Sequence, residues 1–212
     1  MNNILNPRTA VGNLVLINVI AFLAMMAFPK FDGEILKAFA LHFPLSPDFE
    51  FWQPITYMFL HGGFSHLFFN MFALWMFGRQ LEEELGLKRF VIYYFATGVG
   101  AAIIQIIVNY VAIMSGDAQT AMAAAHGITI GASGAVFGIL LAFGVMHPND
   151  RIMLLIPPIP IKAKWFVIIY GALELLQGVR STDNVAHFAH LGGMLFGLGL
   201  LMLWKKQRKI FF

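Results

Sequence analysis

The chain has 212 residues, 59% of them hydrophobic and 12% charged, with a formal charge of +3 and no cysteine. Soluble domains run near about 25% charged, so this composition argues against an ordinary water-soluble domain and for a chain that faces lipid. The missing cysteine excludes disulfides, thiolate metal sites and thiol nucleophiles. The basic residues stand at the ends of apolar runs rather than in a patch, which argues against nucleic acid as a partner.

Six apolar segments are predicted as helices, at about 11–28, 65–85, 90–114, 133–146, 163–179 and 185–204. A spanning helix needs about 20 residues, and the fourth segment falls short of that. These segments predict an all-α, polytopic membrane protein, a six-transmembrane-helix bundle forming a single membrane domain over 1–212. Basic residues fix the expected orientation. With the N-terminus in the cytoplasm, the inner segments hold Arg8, Arg79, Lys88, Arg89, Arg151, Lys162, Lys164, Lys205, Lys206, Arg208 and Lys209; the outer ones hold Lys30, Lys37 and Arg180. Both termini are therefore expected to be cytoplasmic, in the cell membrane.

A long connection, about 29–64, follows the first segment. Phe31, Ile35 and Phe39 recur in it every four residues, with Asp32, Glu34 and Lys37 between them, which predicts a short amphipathic helix at the interface. It ends in His61-Gly62-Gly63-Phe64-Ser65-His66. Ser65 is the expected N-cap of the second segment, and His66 and Asn70 fall one turn apart on one face. Glu82, Glu83 and Glu84 before Gly86 read as a solvated helix end. Gln105 and Asn109 are expected to bond between helices. The stretch 115–130 reads as a loose, alanine-rich loop containing His126.

The fourth segment opens with Gly131-Ala132-Ser133-Gly134. One reading is a packing patch, Gly134-x-x-x-Gly138. The other is a serine nucleophile in a first helical turn, where unpaired N–H groups can hold a developing negative charge. After it, His147-Pro148-Asn149-Asp150 and Pro157-Pro158-Ile159-Pro160 break the chain. Glu174, in the fifth segment, either orients a histidine or makes a hydrogen bond inside the bundle. Asp183 or Asn184 caps the sixth segment, and His187 and His190 follow three residues apart. Gly192, Gly193, Gly197 and Gly199 permit close approach to the fourth segment, and that contact brings a histidine to Ser133. The polar starts of segments two, four and six all lie toward the outer side, and polar groups inside a membrane are costly enough to mark function.

A serine needs a base to take its proton, and histidine titrates near neutrality. His190 is the preferred base and His187 the runner-up. His66, Asn70 and the N–H of Ser133 are candidate oxyanion donors. No aspartate stands ready as a third member, so a Ser–His dyad is expected, opening on a polar, water-filled cavity. Titratable groups spread through the membrane depth would mark a transporter, but these cluster on one side. No His-Glu-x-x-His marks a metalloprotease.

Gly-x-Ser-Gly heading a short helix, His-x-x-x-x-His-x-x-x-Asn before it and Ala-His-Leu-Gly-Gly after it together resemble the rhomboid intramembrane serine proteases. The resemblance covers nearly the whole chain. It implies Ser133 as nucleophile, His190 as general base, and His66 and Asn70 in the oxyanion hole. It implies Gly131, Gly134 and Phe137 around the serine, and Gly193 packing segment six on segment four. Gly78, Glu82 and Gly86 match the family's Gly-x-x-x-Glu-x-x-x-Gly, and the fifth helix becomes part of a substrate gate. The implied activity is cleavage of transmembrane segments of membrane proteins, with the active site toward the outer side and no metal or other cofactor. The alternative is an inactive relative that binds membrane clients without cleaving them. Two positions depart from the family pattern. Trp52-Gln53 replaces Trp-Arg in the first loop, leaving its anchoring open, and Phe137 stands where many members have a tyrosine stacked on the base.

Overall fold

The computed structural model describes residues 9–154, 158–180 and 186–207. Arg8, Pro157, Arg208, Lys209 and the caps expected at Asp183 and Asn184 lie outside them. The described chain is helical apart from loops and one small hairpin. Three of its helices are long and apolar enough to cross a membrane: α1 (Ala10–Ala27), α6 (Leu87–Ser115) and α10 (His187–Lys206). The other large elements are α8 (Ser133–Met146), α9 (Ala163–Arg180) and a run composed of α4 (Phe64–Ala73), a π-helical stretch (Leu74–Gly78) and α5 (Arg79–Leu85).

The short helix α8 is the innermost one. It is apolar all round, as a helix without a solvent face must be, and Ala135, Ile139 and Ala142 are fully enclosed. It packs against α6, α10, α9 and the π-helical stretch. Small residues set those distances. A Cβ on Gly138 would strike Thr97 of α6, and a Cβ on Gly144 would strike Val167 of α9. Tyr93 of α6 donates its hydroxyl to the Gly138 carbonyl at 2.9 Å, so the inner helix is held by a buried polar bond as well as by packing.

The first connection does hold an amphipathic helix, α2 (Asp32–Phe39), followed by one turn, α3 (Gln53–Thr56). Gln53 anchors the whole loop. Its amide donates to the carbonyls of Asp48 (2.8 Å) and Lys37 (3.1 Å), and its oxygen accepts the His42 N–H (3.2 Å). Trp52 Nε1 donates to the Ala38 carbonyl at 2.8 Å. The glutamine therefore anchors the loop, whose attachment the sequence left open. Leu41 and Thr129 exchange two backbone bonds of 3.0 Å, tying this loop to the strand-like segment that leads into α8.

Several expectations need correction. Ser65 does not cap α4; the cap is Gly63, and the helix starts at Phe64 with no side-chain acceptor. The stretch 115–130 is not loose: it contains α7 (Ala118–His126), whose first N–H groups are capped by Asp117 Oδ1 at 2.9 and 3.0 Å. Gln105 bonds Asn109 of its own helix at 2.9 Å, because residues four apart share a face. Helix α8 does end at Met146, before the first expected break, and beyond it β1 (Arg151–Met153) pairs antiparallel with β2 (Pro160–Lys162), an element the sequence did not suggest.

Glu82 is not a solvated end either. It is buried, and its carboxylate accepts the N–H of Ala10 (2.7 Å) and of Val11 (2.9 Å). These are unpaired donors at the start of α1, where the helix dipole also favours a negative charge. Glu82→Ala is expected to cost about 1–3 kcal/mol, since two buried donors lose their acceptor. Thermal unfolding in detergent checks this, with the exposed Glu83→Ala as a control that stays within about 0.5 kcal/mol of the parent.

Candidate active site

Ser133 opens α8. The chain reaches it through Gly131, whose φ of 121° only glycine adopts without strain. A Cβ at that position would also press on the His66 ring at 2.7 Å. The turn is held from behind by Tyr57, whose carbonyl accepts the Gly131 N–H at 2.9 Å and whose hydroxyl donates to the Gly98 carbonyl at 2.8 Å. The sequence reading missed Tyr57, since one tyrosine in an aromatic loop carries no local mark of burial.

On the facing helix α10, His190 Nε2 lies 2.8 Å from Ser133 Oγ. The helices meet there because Gly193 has no side chain: a Cβ would fall on the Gly134 carbonyl oxygen. Phe137, one turn below Ser133, stacks flat on the His190 ring, with centroids 4.3 Å apart and planes 6° from parallel. The aromatic contact therefore survives without a tyrosine hydroxyl.

His190 Nδ1 is not free. It lies 2.8 Å from Glu174 Oε2 on α9, and His187 Nδ1 lies 2.7 Å from the same oxygen. All three side chains are buried. A carboxylate thus stands behind the histidine although the sequence offered no aspartate for that place; of the two readings open for Glu174, the contact is the one with a histidine. One signal was present, a lone acid within an otherwise apolar run, which is costly unless paired. These three residues are also the one group among the described residues whose donor atoms lie close enough, within 4.8 Å of one another, to hold a metal ion.

His66, Asn70, Ser133 and His190 line one cavity of about 1040 Å³. Ser133 is half-buried rather than sealed. Asn70 gives one amide N–H to the His66 carbonyl at 3.0 Å, which fixes its orientation. The cavity is not the mainly polar one expected. Its walls are mostly apolar, with Phe69, Phe72, Met76, Leu140, Phe166 and Tyr170 among them, and it extends as far as Ile152 and Met153.

His61 backs His66, with ring centroids 4.9 Å apart and the rings edge to face. Burial, with the His66 ring beside it as the smaller cause, pushes His61 down to about 4. The unfolded chain keeps a value near about 6.5, so between pH 6.5 and about 4 it takes up a proton that the folded chain refuses. Stability is then full above this window and falls as pH drops through it. Thermal unfolding in micelles is expected to show a steeper acid loss for the parent than for His61→Phe.

The family model of the rhomboid domain matches residues 48–207. The chain is 28% identical over 198 residues to the rhomboid protease AarA of Providencia stuartii, covering 87% of this chain and 68% of that one. It is 32% identical over 164 residues to the putative rhomboid protease YdcA of Bacillus subtilis, covering 76% and 71%. It is 33% identical over 174 residues to RHOMBOID-like protein 5 of Arabidopsis thaliana, covering 81% of this chain but 50% of the plant protein. The chain spans about half the length of such plant relatives. The match runs from the first connection, through the serine turn, to the end of the histidine helix, and it agrees with the motifs that frame the cavity: the chain belongs to the rhomboid family.

Proposed function

We propose that this chain is an intramembrane serine endopeptidase that cuts transmembrane segments of membrane proteins. The observation that carries the reading is the 2.8 Å approach of Ser133 Oγ to His190 Nε2 at the head of an apolar cavity. In the proposed reaction Ser133 Oγ attacks the scissile carbonyl carbon while its proton passes to His190 Nε2. The oxyanion takes hydrogen bonds from the Ser133 N–H, at the open end of α8, and from the His66 and Asn70 side chains. Collapse of the tetrahedral intermediate breaks the C–N bond, and His190 returns the proton to the leaving amine. Water then repeats the sequence on the acyl-enzyme. Gly131, Gly134, Gly193 and Phe137 shape the site without entering the chemistry.

The apolar walls suit a substrate that arrives from lipid. Phe69 and Phe72 from the α4 run and Phe166 and Tyr170 from α9 all line the cavity, so the partners in this reading are transmembrane proteins and the bilayer itself. Six helices span the cell membrane, both termini are cytoplasmic, and the serine opens toward the outer side. The basic residues at the segment ends support that orientation.

A fluorophosphonate probe tests the nucleophile directly. It is expected to label the purified protein on the peptide carrying Ser133 and to leave His190→Ala almost unlabelled. Equal labelling of Ser133→Ala would point to another nucleophile. A protein that takes the probe but cuts no membrane substrate would favour the alternative, a client-binding relative without proteolysis.

A further inference from the structure

We infer that Glu174 is a positioning residue for the reaction, so that the site works as Ser133–His190–Glu174 with His187 holding the carboxylate. This rests on the protease reading above. One carboxylate oxygen, Oε2, receives both imidazole Nδ1 atoms, at 2.7 Å from His187 and 2.8 Å from His190. An ionised carboxylate only accepts hydrogen bonds, so each of these nitrogens carries its proton. That choice fixes His190 with a bare Nε2, the atom 2.8 Å from the serine. The opposite tautomer would put a proton on Nε2 and leave the hydroxyl facing a donor. The carboxylate therefore selects the one neutral form that acts as a base.

It also sits where charge appears. When the Ser133 proton reaches Nε2, His190 becomes an imidazolium whose Nδ1–H points at Glu174. The carboxylate stabilises that cation and keeps its own charge throughout; no second proton transfer is required. His187 lies one turn earlier on α10, and by donating to the same oxygen it holds the glutamate in one rotamer. The approach of the two helices is set by Gly178, one turn beyond Glu174. A Cβ there would meet the Phe188 ring at 3.0 Å and His187 Cβ at 3.3 Å.

A metal ion is the competing occupant of the trio. Two ligands of a tetrahedral zinc ion, each about 2.0–2.1 Å from it, lie roughly 3.3 Å apart. The 2.7 and 2.8 Å separations are those of charge-assisted hydrogen bonds instead.

The test compares Glu174→Gln and Glu174→Asp with the parent in detergent or liposomes, using a single-pass substrate and the fluorophosphonate probe. Glu174→Gln is expected to lower kcat by about 10²- to 10³-fold while KM stays within about twofold, and to slow labelling of Ser133 in step. Glu174→Asp is expected to recover part of both rates. In the parent, ¹⁵N-histidine labelling should show a strongly downfield Nδ1–H resonance that disappears in His190→Ala; this readout does not depend on any glutamate variant folding. Full activity of Glu174→Gln, or absence of that resonance in the parent, overturns the inference and leaves the protease reading standing if Ser133→Ala is inactive. Activity lost on EDTA treatment and restored by Zn²⁺ would make the three residues metal ligands and also overturn it.

Discussion

Ser133→Ala is expected to abolish cleavage of a reconstituted single-pass substrate, with a fall of about 10⁴-fold or more in kcat, and His190→Ala to fall as far. Loss of either partner of a nucleophile–base pair removes the same covalent step, so the double variant should be no worse than either single one. That non-additivity is the informative part. Two side chains that merely packed α8 against α10 would couple in stability, as neighbours do, yet retain turnover in each single variant. Ser133→Ala removes one oxygen from a residue already half-buried at the cavity head, so its thermal unfolding should shift little. His190→Ala also removes a buried ring from Phe137 and Glu174 and should unfold earlier, which makes the serine variant the cleaner test. His187→Ala checks the choice of base. His187 reaches Glu174 through Nδ1, whereas His190 is the ring on Ser133. The variant should therefore keep measurable activity; full loss there with His190→Ala still active would reverse the assignment.

The second large effect is structural. Gly193→Ala is expected to destabilise the protein by about 3 kcal/mol or more and to suppress activity with it. The added methyl would sit on the Gly134 carbonyl oxygen, which is backbone and cannot swing aside. Relief requires α10 to move off α8, and His190 is carried on the same helix one turn earlier. Overpacking usually costs about 1–3 kcal/mol when a side chain can yield; a backbone obstacle belongs at or above the top of that range. Gly199→Ala is the matched control, because a Cβ there meets nothing within 4 Å. Unfolding of both variants in the same detergent, with turnover measured in parallel, checks the contrast. Equal behaviour of the two would mean that the helices do not depend on this contact.

Much of this protein is written locally. The apolar runs mark out α1, α6, α8 and α10 to within a few residues, because a helix that avoids water needs an uninterrupted apolar sequence. Phe31, Ile35 and Phe39 give away α2 by their spacing. Ser133, His190, His66 and Asn70 stand out because polar side chains inside such runs are costly, and the glycines of 131–134 and 192–193 announce that two backbones approach one another. Partners distant in sequence were legible only in outline or not at all. Nothing near Glu82 says that it caps a helix that begins 72 residues earlier, and nothing near Gln53 says that it ties together Lys37, His42 and Asp48. Glu174 was visible as an anomaly, but its two imidazole partners come from another helix. Residue type and periodicity report what one segment must hide from lipid or water; which atom satisfies a buried charge is decided only when helices pack, since the hydrogen bond depends on a distance that no single segment contains.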